Sequence, residues 1–216
     1  SLLEQQNKNL IMLLDMLNDG RYHDVTAIEQ KLNFSLDTIK KLISKLNTYN
    51  KTLSYTEGKG YKIKNPLILL DTNKLADQLR HHKITLKVLE KTSSTNDAVQ
   101  SLIKNNKDIA ACFAEHQTAG KGRMQRYWHS PIAENIYLSI SYPLDKHINE
   151  LNGLSLIVAL ATCHAIESTI DLHHKELDVK WPNDILIDGH KVAGILIETE
   201  TDSNNFCRVI IGIGIN

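Results

Sequence analysis

The stretch DILIDGHKVAGILIE, residues 184–198, constrains the fold more than any other part of this chain. Two apolar runs flank Asp188-Gly189, and an Asp-Gly pair supplies the left-handed backbone positions that a two-residue hairpin needs. A hairpin joins antiparallel neighbours, so this sheet is not assembled from βαβ crossovers alone. With helical patterns nearby, the prediction is an α+β layered domain and not a doubly wound one. ENIYLSISY (134–142) alternates Ile136, Leu138 and Ile140 with Tyr137, Ser139 and Ser141, predicting a half-buried strand. FCRVIIGIGIN closes the sequence as another strand. NDAVQSLIK (96–104) and LNGLSLIVALATCHAIESTI (151–170) read as helices. The second is apolar nearly all round, as expected of a buried helix. Gly194, Gly212 and Gly214 interrupt apolar strand patterns, where glycine marks a bulge or the close approach of a ligand.

A different organisation comes first. Leu10, Leu13, Leu14 and Leu17 recur at helical spacing until Asp19-Gly20. Val25, Ile28 and Leu32 predict a second short helix. Leu36, Ile39, Leu42, Ile43 and Leu46 predict a third, with Ser35 as its N-cap. TLSYTEGKGYKI (52–63) then reads as a hairpin with a Gly-Lys-Gly tip. Three helices and such a hairpin make a winged helix-turn-helix over residues 1–64. Total charge is balanced, with 25 Lys+Arg and 25 Asp+Glu, yet seven lysines face only Asp37 and Glu57 between Asn33 and Lys64. Thr38, Lys41, Ser44 and Lys45 on the third helix, with Lys59 at the wing tip, are the candidate DNA contacts. The same pattern also fits a three-helix bundle that offers a lysine face to protein. NPLILLDTN (65–73), broken at Pro66, reads as a linker to a second domain over 74–216.

Three polar stretches of that second domain look chemical. Ser93, Ser94, Thr95 and Asn96 form either a helix N-cap or a pocket for a neutral, hydrogen-bonding ligand. EHQTAGKGRMQRYW (115–128) carries a second Gly-Lys-Gly, with Gly120, Lys121, Gly122, Arg123 and Arg126 ahead of Trp128. Such a loop cradles an anion or is simply a solvated basic turn, and it lacks the spacing of a Walker A loop. VKWPNDILI places Lys180 before a turn at Trp181-Pro182, either partly desolvated as a cation for developing negative charge or packed along the tryptophan. Cys112, Cys163 and Cys207 are odd in number and include no CxxC pair, which argues against a disulfide framework or a thiolate zinc site. The pairs His81-His82 and His173-His174 lack the spacing of metal ligands, and no metal site is predicted. No nucleophile triad is legible. The N-terminal residues have no signal-peptide pattern and no apolar run spans a membrane, so a cytoplasmic location is the expectation.

Taken in order, STN, EHQTAGKGRMQRYWHSP, NIYLSIS, VKWPNDILIDGHKVAGILIE and IGIGIN resemble the biotin protein ligase family. The leading helix-turn-helix and GKGY wing resemble its bifunctional bacterial members, which also repress the biotin operon. The resemblance implies a catalytic domain of the class II aminoacyl-tRNA synthetase/biotin ligase type. It also implies a two-step reaction in which biotin and MgATP give biotinyl-5′-AMP, whose acyl group passes to a lysine of the biotin carboxyl carrier protein. By that analogy Ser94, Thr95 and Asn96 bind biotin, and Gln117, Lys121, Gly122 and Arg123 line its phosphate side. Lys180, with Arg123, is the catalytic candidate beside the biotin carboxylate and α-phosphate. Gly120, Arg126 and Trp128 order or cover the adenylate, and Asn216 approaches the adenine. Operator DNA and a homodimer formed on adenylate binding are further implied partners. The family loop often reads G-R-G-R-x-G-R, so Lys121 loses the guanidinium fork and Gln125 replaces a glycine, which is expected to slow loop ordering. Family members continue beyond GIGIN, so the chain is expected to lack a C-terminal part. A non-enzymatic, biotin-responsive repressor and a lipoate ligase-like enzyme are the alternative readings.

Overall fold

The computed structural model describes residues 2–49, 53–144, 151, 153–201 and 207–216, and Lys51 lies outside them. The chain divides into two compact units, one running to Leu69 and including Pro131–Ala133, the other comprising Leu70–Ser130 and Glu134–Asn216.

In the first unit, α1 (Leu2–Leu17), α2 (Val25–Leu32) and α3 (Leu36–Thr48) precede a hairpin of β1 (Leu53–Thr56) and β2 (Gly60–Ile63). The starts of α2 and α3 have local causes. The Asp24 side chain accepts from the Ala27 N–H at the head of α2, and Ser35 Oγ accepts from the Thr38 N–H at the head of α3. The apolar stripes meet in one core, where Leu13, Leu14, Leu17, Ile28, Ile39 and Leu46 are fully buried. The hairpin is tied to the α1–α2 turn, because His23 and Tyr61 exchange both backbone hydrogen bonds at 2.8 Å. This explains the second glycine of the first Gly-Lys-Gly. Gly60 has φ +93°, and a Cβ there would overlap the His23 carbonyl oxygen. Gly60→Ala is therefore expected to cost about 3 kcal/mol through combined backbone strain and steric overlap, read as a lowered thermal midpoint of the first unit.

The second unit is a seven-stranded sheet in the order β3 (Ile84–Leu89), β4 (Ile109–Ala114), β5 (Ile136–Leu144), β9 (Cys207–Ile215), β8 (His190–Thr201), β7 (Asp184–Ile187), β6 (Leu177–Lys180). Only the β3–β4 pair is parallel. It is the α+β sheet that the hairpin motif predicts. At the β7–β8 turn Asp188 has φ +48° and Gly189 φ +76°, both left-handed as a two-residue hairpin requires. The helices of this unit are α4 (Thr72–Leu79), α5 (Thr95–Gln100) and α6 (Leu154–Thr169), so α4 begins inside the stretch read as a linker.

Three expectations are corrected. First, β5 alternates as predicted, but its polar side is the one turned inward. Tyr137, Ser139 and Ser141 are the buried side (1%, 0% and 0% exposed), while Ile136 is 42% exposed. The register puts Ile136, Leu138 and Ile140 in line with Ile215, Ile213 and Ile211, on the sheet face that α6 covers over β6–β8 and leaves open at β5. The polar side packs under α5, where each hydroxyl has a hydrogen-bond partner. Ser141 Oγ, for example, accepts from the buried Arg208 guanidinium at 3.0 Å, which also donates to the Asp108 and Asn106 carbonyls. Second, α6 is not buried all round. Ala159, Thr162, Cys163 and Ile166 face the sheet, whereas Leu156, Ile157 and Leu160 are exposed. A helix lying on one sheet buries one stripe, whatever its composition. Third, the glycines of β9 are not bulges. Pairing of β9 with β5 and β8 runs unbroken through Gly212 and Gly214, and the register shifts instead in the β7–β8 pair, between Ile185 and Leu186.

Candidate functional site

Across the α5 side of the second unit lies an open cavity of about 660 Å³, lined by the start of α5, the second glycine loop, the Trp181–Asp184 turn, β8 and β9. Its two halves differ in chemistry.

The neutral half is a closed hydrogen-bond network. Ser94 caps α5, accepting from the Asn96 N–H at 3.3 Å. The Thr95 N–H donates to Gln117 Oε1 (2.8 Å), and Gln117 Nε2 donates to Ser130 Oγ (2.9 Å). From β5, Ser139 Oγ lies 2.7 Å from Thr95 Oγ1 and 2.5 Å from Asn96 Oδ1. Asn96 Nδ2 donates to Glu198 Oε2 at 2.7 Å. Ser94, Thr95, Asn96 and Gln117 are all buried, so their donors and acceptors are held in place without water. The missing side chain of Gly212 is what makes room, since a Cβ there would overlap Asn96 Oδ1. The sequence motif thus serves as both helix cap and pocket wall.

The other half is cationic. Lys121, Arg123, Arg126, Lys180 and Lys191 line it against a single carboxylate, Asp184. Arg123 donates to Asn183 Oδ1 at 3.2 Å, and Asn183 Nδ2 is anchored to the Ile195 carbonyl at 2.7 Å, so the loop arginine is tied to the Trp181–Asp184 turn. Lys191 pairs with Asp184 at 2.7 Å and places its ammonium 5.1 Å from the Trp128 ring centroid. The Trp128 indole itself lies flat against β8 and β9. A Cβ at Gly194 or Gly214 would stand 2.8 or 2.6 Å from that ring, so these glycines admit a tryptophan of the same chain. Trp128 Nε1 is buried without a hydrogen-bond partner.

The glycine loop closes on itself. The Gly122 N–H donates to the Arg126 carbonyl (2.7 Å) and the Trp128 N–H to the Gly120 carbonyl (2.8 Å). Met124 and Gln125 at its tip have φ +54° and +59°. Gln125 therefore occupies a left-handed position that glycine takes at no steric cost. Lys121 does not point its charge at an open anion site. It pairs with Asp97 at 2.5 Å, with Glu198 4.0 Å away, and the Asp97 carboxylate holds the ammonium above the ordinary lysine range.

Most candidates from the sequence converge on this cavity, Gly120 excepted. Gly120 lies beneath the loop, where a Cβ would overlap the Trp128 carbonyl. Asn216 reaches the cavity from the end of β9, its N–H donating to the Val192 carbonyl at 2.7 Å. Lys180 lines the cavity but is solvent-exposed, and Trp181 is 80% exposed, so neither partial desolvation nor packing on the tryptophan describes it. Lys191, Asp184, Asn183, Ser139 and Glu198 were not singled out from sequence. Lys191 left one signal, a cation inside an apolar strand pattern three residues before a glycine. In the first unit, Lys41 is exposed and paired with Asp37 (2.7 Å), Ser44 is exposed, and Thr38 and Lys45 are half-buried. Lys59 is exposed at the tip of the β1–β2 hairpin, where its ammonium and that of Lys62 lie 5.9 and 5.5 Å from the Tyr22 ring centroid. Among the described residues no group of three metal-ligating side chains assembles, and the three cysteines are buried and unpaired.

Residues 88–216 match the model of the biotin/lipoate A/B protein ligase family. Over 206 residues the chain is 32% identical to the bifunctional ligase/repressor BirA of Escherichia coli (strain K12), covering 95% of this chain and 63% of that protein. It is 33% identical over 199 residues to BirA of Bacillus subtilis (strain 168), covering 88% of this chain and 58% of that protein. The biotin protein ligase of Leishmania major in complex with biotin superposes with a TM-score of 0.53 at 33% identity, over 61% of this chain and 56% of that one. The chain thus spans less than two thirds of the length of these relatives.

Proposed function

This chain belongs to the biotin/lipoate A/B protein ligase family, and on that premise we propose that its second unit binds biotin and ATP, forms biotinyl-5′-AMP and passes the biotinyl group to a lysine of a biotin carboxyl carrier protein. The observation that carries the reading is the division of one cavity. A buried neutral network at Ser94, Thr95, Asn96 and Gln117 adjoins a wall carrying Arg123, Arg126, Lys180 and Lys191, with Lys121 turned to Asp97, which suits a ligand with a polar uncharged ring at one end and an anion at the other.

The chemistry asks the protein to hold two anions together, the biotin carboxylate and the α-phosphate it attacks. Hydroxyls and amides that both donate and accept match a cyclic urea. Arg123, held by Asn183, presents a fork suited to phosphate. Lys191 and Lys180 supply positive charge beside the reacting atoms, Lys191 from a position fixed by Asp184 and the Trp128 ring. Lys121, committed to Asp97, serves to close the loop over the ligand. Arg126, Trp128 and Asn216 border the space left for the nucleotide. Magnesium would arrive with ATP, and Asp184 is the cavity carboxylate able to join its oxygen ligands.

Titration calorimetry of the chain with biotin, with and without ATP, tests the reading. Binding of biotin and a tighter response when ATP is present are expected. Both tryptophans, Trp128 and Trp181, line the cavity, so intrinsic fluorescence should report the same binding. Lipoate competing as well as biotin would favour the lipoate ligase-like alternative. Biotin binding without pyrophosphate release would favour a non-enzymatic repressor.

The first unit carries a second reading, a winged helix-turn-helix that binds operator DNA and represses biotin synthesis genes. Support comes from the exposed Lys41 and Ser44 on α3 and from Lys59 at the hairpin tip. A homodimer would present two such units to a palindromic site. Affinity for DNA that falls steeply with salt, and falls less steeply after Lys59→Ala, is the expected result. Among the described residues no helix is long and apolar enough to cross a membrane, and a cytoplasmic site of action fits both readings.

A further inference from the structure

Asn96 is 3% exposed, and its amide offers a donor on one side and an acceptor on the other. The two flipped orientations have the same shape, so packing does not choose between them. Nor does a hydroxyl neighbour, which donates or accepts as needed. Ser139 Oγ, 2.5 Å from Asn96 Oδ1, would tolerate either end of the amide. A carboxylate only accepts. Glu198, reaching over from β8, lies 2.7 Å from Asn96 Nδ2.

We infer that Glu198 is a positioning residue of this site: by accepting from Asn96 Nδ2 it turns Oδ1 toward Ser139 and sets the donor–acceptor pattern that the cavity offers to the ureido ring of biotin. Two further observations fit this role. Gly212 leaves open the space that Asn96 Oδ1 fills, so the amide is seated where a flip would exchange donor for acceptor directly against Ser139. Lys121, 4.0 Å from Glu198 and 2.5 Å from Asp97, balances the carboxylate charge from the glycine loop. Glu198 therefore stands between the neutral network and the loop, touching both. The consequence for ligand choice rests on the reading of the cavity as a biotin site; the orientation of Asn96 does not.

The test uses the whole chain, ¹⁵N-labelled, with Glu198→Gln and Glu198→Asp. Glutamine keeps the shape but can donate, so it removes the reason for one amide orientation. In the unsubstituted chain the Asn96 side-chain amide protons should exchange slowly. In Glu198→Gln they should exchange at least about tenfold faster, with displaced resonances and a thermal midpoint close to that of the parent. Biotin affinity measured by calorimetry should fall about tenfold or more, the scale of a lost charge-assisted hydrogen bond, and Glu198→Asp should recover part of both effects. Lys121→Met should leave Asn96 exchange slow, because the ion pair goes but the amide anchor stays. Unchanged Asn96 exchange in Glu198→Gln, or equal acceleration by Lys121→Met, would overturn the inference. A parent chain that binds no biotin would instead overturn the reading of the cavity, and the exchange comparison would still judge Glu198.

Discussion

Gly212→Ala is expected to weaken biotin binding by about a hundredfold while leaving the sheet assembled. The added methyl group would take the place of Asn96 Oδ1, and β9 cannot withdraw, because it is paired on both sides, to β5 and to β8. The amide must leave instead, breaking its bonds to Ser139 and Glu198 together. Charge-assisted and buried hydrogen bonds of this kind contribute about 1–3 kcal/mol each, so the combined loss reaches the hundredfold range. Calorimetry with biotin measures the first effect, and a melting curve separates it from unfolding. Gly214→Ala makes a useful contrast. Its methyl would meet Trp128 at 2.6 Å and displace the indole, so nucleotide-dependent steps should suffer before biotin binding does. If Gly212→Ala binds biotin as the parent does, the Asn96 network is not the biotin pocket.

Lys191→Met should lower biotin- and ATP-dependent pyrophosphate release by about a hundredfold or more, the usual consequence of removing one cation or donor aimed at developing charge. Lys180→Met should lower it by less, about tenfold, because its ammonium is not pre-positioned by a partner as that of Lys191 is. Both lysines are solvent-exposed, and the difference lies in their partners: Lys191 is held between Asp184 and the face of Trp128, whereas among the described residues no ion pair or ring contact fixes Lys180. Pyrophosphate release assayed for both variants at saturating biotin decides the order. A larger loss with Lys180→Met would return the principal role to the lysine that the KWPND motif singles out.

Much of the architecture was legible because it depends on local rules. Asp188-Gly189 dictates a hairpin through its backbone preferences, and the hairpin dictates antiparallel pairing. The leucine stripes of the first three helices, with Ser35 at the head of α3, needed nothing but periodicity and a capping side chain. Which face of β5 is buried was not legible, since alternation names two faces without saying which one a helix covers. Ser139 and Ser141 are inside because α5 and Arg208 satisfy their hydroxyls, and Tyr137 beside them accepts from Asn135 Nδ2. The same holds for α6, whose all-round apolar sequence says nothing about how many of its sides find a partner.

The site divides along the same line. The family resemblance carried by the order of the motifs brought Ser94, Thr95, Asn96, Gln117, Arg123 and Lys180 forward as one constellation, while their residue types alone left each stretch with more than one reading. The pairings are non-local. Asn96 and Glu198 are 102 residues apart, and Arg123 and Asn183 are 60 apart. No rule of spacing predicts such neighbours; sheet register and loop closure decide them. Sequence therefore determined which residue types carry the chemistry. Tertiary structure decided which cation is held against Trp128 and Asp184, which glycine yields space to which side chain, and which carboxylate meets the buried amide, since each depends on distances that only a folded sheet sets.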